Sequence, residues 1–299
     1  MKKILGLILA FFCFFEIFAG DGLVFRDSPF EISAKTDGAL LSAGVLLSGG
    51  DLILDNLLKV NRKTFDEDKN FDKSSVNAFD RFFMQDYNAG LNKIGGNAFL
   101  CSALAMPASV FCAVEKSEWK TVALMYAETL LIANGLKEFT KLAVTRYRPM
   151  CYFETGDSFS KYKDDGDFAN SFISGHSTMA FAGASFAGYV FSEYFPDSPW
   201  RYAVYAGGFS LAAATAAVRV MSGNHFVSDV AAGAAVGALT GFLVPRLHLR
   251  KNPVSGGGSA GGSVAGSSGS GGSVGKKADR KGQGSFFILP CGFFARVDF

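Results

Sequence analysis

Five apolar runs, separated by short polar segments, decide most of what this chain can become. Ile94–Val114 holds 21 residues without a charge, and Thr121–Leu136, Ser177–Ser192, Tyr202–Val218 and Val230–Pro245 follow it. Runs this long exceed what a strand needs, and their alanines and glycines let helices approach closely. A helix apolar all round has to be buried, in lipid or in a protein core. Hydrophobic residues are 49% of the 299, with 31 phenylalanines, a balance that favours lipid. The formal net charge of +2 is too small to argue for a nucleic-acid partner. The expected fold class is all-α, a membrane-embedded helical bundle of about five to six core helices. A soluble bundle with an alanine-rich core is the alternative.

The flanks divide by composition. Residues 1–20 read as a signal sequence or anchor: Lys2 and Lys3 precede an apolar stretch from Ile4 to Phe15, with a cut expected near Ala19 or Gly20. Residues 21–92 are a lead-in with short helices, whose charged part, 59–92, reads as an exposed connection. Within it, Asp51 and Asp55 interrupt Gly38–Leu58 and leave only 38–50 uncharged. That is short of the roughly 20 residues a span needs, so the segment is expected at the interface or inside the bundle. Residues 93–250 form the core, 251–285 a flexible Gly/Ser linker, and 286–299 an apolar, strand-like tail. Cys101, Cys112, Cys151 and Cys291 lack metal-binding spacing. The first two read as packing residues, and the last two could pair in an oxidising compartment.

Polar residues collect where the apolar runs end. Lys141 and Arg148 place two fixed charges after Thr121–Leu136, a position that often meets only lipid headgroups. Ser174, Gly175 and His176 stand just before the next run. They offer a hydroxyl, a close backbone N–H and a proton carrier at a helix N-terminus, which favours anions. Arg219, His225 and Asp229 lie between the last two runs. His225 and Asp229 are four apart and share a helix face, so the carboxylate can take the protonated ring nitrogen and leave the other free to attack. Each cluster taken alone also reads as a polar helix cap. The third histidine, His248, sits in the basic stretch after the last run and looks incidental.

In order and spacing, the three clusters resemble the signature of the phosphatidic acid phosphatase type 2 and haloperoxidase superfamily, K-x6-RP, PSGH and SR-x5-H-x3-D. Lys141–Pro149, Ile173–His176 and Val218–Asp229 carry it here, and the likeness covers roughly residues 90–247. Ile173 stands where the family usually has proline, and Val218 where it often has serine. The resemblance implies a metal-independent phosphatase without a cofactor, removing phosphate from a lipid phosphate or diphosphate through a phosphohistidine. It implies His225 as nucleophile, Asp229 orienting it and His176 as general acid. Lys141, Arg148, Ser174, Gly175 and Arg219 would hold the phosphate. The implied partners are a lipid phosphate and a membrane. A soluble periplasmic acid phosphatase of the same superfamily and a non-catalytic lipid-phosphate-binding membrane protein are the other readings. Lys116, Lys120, Arg201, Arg246, Arg250 and Lys251 fall on the loops opposite the clusters. By the positive-inside rule this suits a bacterial-type inner membrane with the site facing the periplasm. With an exported N-terminus, that orientation holds only if Gly38–Leu58 does not fully cross.

Overall fold

The spacing of small residues decides which helices touch. In a computed structural model, the structure describes residues 28–54, 58, 71–100, 106–153, 167–250, 286–288 and 294–296. The chain divides into two compact units, 1–254 and 255–299. The described part of the first is helical: α1 (Ala34–Leu52), α2 (Ala78–Phe83), α3 (Ala89–Leu100), α4 (Met106–Ala113), α5 (Trp119–Ala143), α6 (Gly175–Tyr194), α7 (Trp200–Met221) and α8 (Val227–Leu247). Helix α6 is the hub, packed against α3, α4, α5, α7 and α8. Its composition explains the position, since Ala180, Ala182, Ala184 and Ala187 keep it thin and all four are buried.

The closest pairing is α6 with α8. Gly233, Gly237 and Gly241 recur every fourth residue along α8, and each faces α6 backbone. A Cβ at Gly237 would stand 2.0 Å from the Thr178 carbonyl oxygen, and one at Gly241 2.3 Å from that of Ala182. Hydroxyls stitch the seam, with Ser177 Oγ donating to Val230 O at 2.7 Å and Ser185 Oγ to Ala238 O at 2.9 Å. Helix α1 packs on α5 in the same manner. A Cβ at Gly135 would stand 2.3 Å from that of Leu47, and Ser48 Oγ donates to Leu131 O at 2.6 Å. Helix α1 thus lies along α5 with most of its residues exposed or half-buried, Asp37 and Gly44 being buried. A large-side-chain core (Phe30, Val110, Met125, Phe186, Phe191) fills the end of the bundle where α5 begins and α6 ends.

Several expectations need correction. The 94–114 run contributes two helices, α3 and α4, with residues 101–105 outside the described residues. Helix α5 runs past Leu136 to Ala143, because Leu136–Lys137–Glu138 are good helix formers and only Val144–Thr145 favour extension. The described part of 59–92 is not simply exposed, since Val76, Asp80 and Met84 are buried. His248 is not incidental, for it caps α8 in full burial. The polar lead-in is anchored too: Phe30 forms a β-bridge with Leu249. Cys112 is exposed rather than packed, and Cys151 is buried with its Sγ donating to Phe168 O at 3.8 Å. In the second unit, β1 (Phe286–Ile288) pairs antiparallel with β2 (Phe294–Arg296), Phe287 opposite Ala295, as a strand-like tail predicts. The signal, the linker and Cys291 lie outside the described residues.

Candidate active site

Helix α7 ends in a tight turn. The Arg219 carbonyl accepts both Asn224 N–H and His225 N–H at 3.3 Å. Gly223 turns the chain at φ 71°, where a Cβ would stand 2.5 Å from the Asp86 carbonyl oxygen, so only glycine fits. Its carbonyl accepts from Met150 N at 3.2 Å. That bond pins the turn following Arg148 onto the turn that carries His225.

The imidazole of His225 is buried, and its surroundings fix its proton. Nδ1 lies 2.7 Å from the Ser171 carbonyl oxygen. A carbonyl has no hydrogen to give, so Nδ1 carries the proton. In the neutral ring Nε2 is then a bare lone pair, and it faces Arg148 Nη1 at 3.3 Å. Asp229 is 3.8 Å from Nδ1, beyond hydrogen-bond reach. Its Oδ2 instead accepts Ser171 Oγ at 2.5 Å and Phe226 N at 2.9 Å. The carboxylate therefore acts on the histidine through Ser171, whose hydroxyl it holds and whose carbonyl holds the ring. Burial, assisted by Arg148 and Arg219, outweighs Asp229 and pushes the His225 pKa down to about 4.

Behind Asp229 stands a second layer that the motifs do not announce. Arg146 pairs with Asp229 Oδ1 and reaches Asp80 Oδ2 at 2.7 Å, and its guanidinium lies 4.3 Å over the Phe226 ring. Asp80 Oδ1 accepts Ser228 N at 2.9 Å and Oδ2 accepts Ser228 Oγ at 2.6 Å, closing the α8 N-terminus. Asn92 Oδ1 takes Arg219 Nη1 and Asn224 Nδ2. Arg146 lies inside the first motif stretch and Ser171 two residues before the second, so their positions were the available signal. Asp80 and Asn92 carry no such signal.

The remaining predicted residues converge on the same end. Arg148 donates from Nη1 to Asn224 O at 3.0 Å, from Nε to Asp167 O at 2.9 Å and from Nη2 to Asp167 Oδ2 at 2.6 Å. Burial works to raise the Asp167 carboxyl, but Arg148, Lys141 and His225 together hold it below the usual carboxylate range. Asp167 thus marks where an anion meets these three groups. Lys141 also pairs with Glu138 at 3.5 Å. Ser174 N–H donates to Asp229 O at 3.1 Å, joining the α6 and α8 N-termini, and its Oγ caps α6. Gly175 is the first residue of α6. A Cβ there would stand 2.7 Å from Lys137 Cδ, so this lysine, one turn before Lys141, also lies at the site. Its i,i+4 spacing from Lys141 was the available signal, hidden by ending the helix too early. His176 lies just outside the apolar run 177–192. Burial first, then Arg219, His225, Arg148 and Lys137, push its pKa down to about 3. The Phe172–Ile173 peptide is cis.

Three comparisons bear on this arrangement. Residues 122–253 match the PAP2 superfamily. Over 86 residues the chain is 43% identical to the lipid A 1-phosphatase of Porphyromonas gingivalis, covering 29% of this chain and 18% of that protein. The chain thus matches less than a fifth of the length of that curated relative. A crystal structure of a transmembrane PAP2-type phosphatidylglycerolphosphate phosphatase from Bacillus subtilis is 19% identical. It aligns over 71% of this chain and 95% of its own, with a TM-score of 0.40.

Proposed function

We propose, from the match of residues 122–253 to the PAP2 superfamily, that the chain is a membrane-embedded, metal-independent phosphatase of a lipid phosphate or diphosphate. The observation that carries this reading is the bare Nε2 of His225, buried and turned toward Arg148. Nε2 attacks phosphorus and the P–O bond to the lipid breaks. The leaving oxygen takes a proton from His176. Water then attacks the phosphohistidine, His176 accepts the water proton, and the P–N bond breaks to release inorganic phosphate. Lys141, Arg148 and Arg219, with the Ser174 hydroxyl and Gly175 N–H, hold the phosphoryl oxygens. Phosphoryl transfer is chiefly positioning and charge stabilisation, and this set supplies both. Asp229, acting through Ser171, positions His225.

A lipid substrate is supported by what faces outward. Helices α7 and α8 are long and apolar enough to cross a membrane. Leu46 on α1, Tyr202 on α7 and Leu239 on α8 are exposed. Beside the site, α2 buries Asp80 while Phe79 and Phe82 point outward, an arrangement suited to the membrane interface. The division into a lead-in, a 93–250 phosphatase core, a linker and a tail belongs to the same proposal.

The test is phosphate release by detergent-purified protein from lipid A 1-phosphate, phosphatidate, phosphatidylglycerol phosphate and a polyprenyl diphosphate, in brief exposure to EDTA. Release from at least one, with a phosphorylated histidine trapped in wild type and both lost in His225→Ala, is expected. Equal release from the variant would remove His225 as nucleophile. No release by folded wild type would favour a lipid-phosphate binder.

A further inference from the structure

About 30 Å from His225, at the other end of the 21-residue α8, lies a second cluster that the phosphatase reading does not use. His248, Asp37 of α1 and Glu128 of α5 are all buried, and one ligand atom from each lies within 4.8 Å of the others. His248 Nε2 is 3.2 Å from Asp37 Oδ1 and 3.1 Å from Glu128 Oε2. His248 Nδ1 lies 2.9 Å from the Val244 carbonyl oxygen, so Nδ1 carries the ring proton.

That assignment leaves the charges unbalanced. With a neutral ring, the Nε2 lone pair confronts two carboxylates. With a second ring proton, Nε2–H can be given to Asp37, yet among the described residues neither oxygen of Glu128 has a hydrogen-bond donor. A fully buried carboxylate in this condition takes either a proton or a cation, and the geometry of the donors favours the cation. The fold presents the three donors as a metal site would. A backbone carbonyl fixes the ring tautomer, as is usual for metal-bound histidines, and Ser33 N–H holds the other oxygen of Asp37 at 2.5 Å. The 3.1–3.2 Å separations are close to the roughly 3.3 Å edge of a tetrahedron with 2.0–2.1 Å bonds. An imidazole beside two carboxylates suits a zinc-class ion rather than magnesium or calcium, which prefer all-oxygen shells.

We propose that Asp37, Glu128 and His248 form a buried site for a divalent zinc-class cation that ties α1, α5 and the end of α8 together. The whole protein, purified in detergent and stripped of metal, is titrated with Co2+ and separately with Zn2+. One equivalent of Co2+ is expected to bind with the visible bands of a low-coordinate site, and Zn2+ to raise the melting temperature. Glu128→Gln and His248→Ala should each weaken binding by at least about a hundredfold, since even losing an outer-shell partner costs 10–100-fold. Glu128→Gln is nearly isosteric and serves if His248→Ala does not fold. Folded wild type that takes up neither ion, or variants that bind like wild type, would overturn the site.

Discussion

The acidic limb of catalysis should be set by His225. A pKa near 4 leaves its Nε2 unprotonated at every higher pH, so nucleophile is lost only as pH falls through about 4. His176, pushed down to about 3, is neutral at working pH, so the proton it passes to the leaving oxygen has to arrive on the substrate. Phosphate monoesters lose their second proton near pH ~6, and kcat/KM should fall above that. A bell between roughly 4 and 6 is expected for kcat/KM against pH with a short-chain lipid phosphate. A profile still rising through pH 7 would mean that His225 titrates as an ordinary histidine. A second expectation concerns Asp167, whose carboxylate competes for Arg148. Asp167→Asn should tighten inhibition by inorganic phosphate by about fivefold, roughly 1 kcal/mol for a half-exposed pair. Unchanged or weaker inhibition would make Asp167 a support for Arg148 instead. The motif histidines, cations and Asp229 were legible because charged groups beside apolar runs have no packing reason to be there. Asp80 was not, because it meets Arg146 across 66 residues of sequence and nothing local announces the pairing. His248 was misread for the same reason, its partner Asp37 being 211 residues away.

At the scale of elements, the distance between α6 and α8 sets the distance between the candidate catalytic groups His176 and His225, since Ser174 N–H bonds Asp229 O where the two helices begin. Gly237 has no room for a methyl against Thr178 O. Gly237→Ala should therefore push the helices apart and cost about 3 kcal/mol, a melting temperature roughly 5–10 °C lower. Activity should fall with it as His176 and His225 separate. Gly207→Ala on α7 is the control, because none of the described residues lies within 4 Å of a Cβ there; it should leave stability unchanged or slightly higher. Equal effects of the two would show that helix propensity, not contact, governs these positions. The apolar runs announced these helices well, since their periodicity and small residues are local properties. They located the ends poorly. The α5 helix continues through charged helix formers that a hydropathy reading takes for a loop, and the register of α6 on α8 depends on which glycines face each other.

For the whole molecule, the path of α1 couples two expectations that were separate in the sequence. Ser28 Oγ donates to Glu118 Oε2 at 2.6 Å, and Arg250 N to Pro29 O at 3.0 Å. The chain thus enters α1 at the end where α5 starts and α8 finishes, opposite the catalytic cluster. It then runs alongside α5 toward that cluster, Asp37 near Glu128 and Leu47 against Gly135. At 19 residues, α1 is about 28 Å long, close to the thickness of a hydrocarbon core. If α1 crosses, residues exported by a signal at 1–20 would put the far end outside and the catalytic end in the cytoplasm. A periplasmic site requires the reverse, with the chain entering α1 from the cytoplasm. Lys116, Lys120, Arg201, Arg246 and Arg250 gather at the far end, and by the positive-inside rule that end is expected in the cytoplasm. The cations of the catalytic cluster are occupied by chemistry and weigh less in that comparison. We therefore expect a fluorescent protein fused after Lys251 to be bright and an alkaline phosphatase fused there to be inactive, in a bacterial host. The same pair fused after Phe153, near the catalytic end, should behave oppositely. An active phosphatase after Lys251 would turn the bundle over, making the first twenty residues an export signal and the substrate a lipid phosphate of the cytoplasmic leaflet.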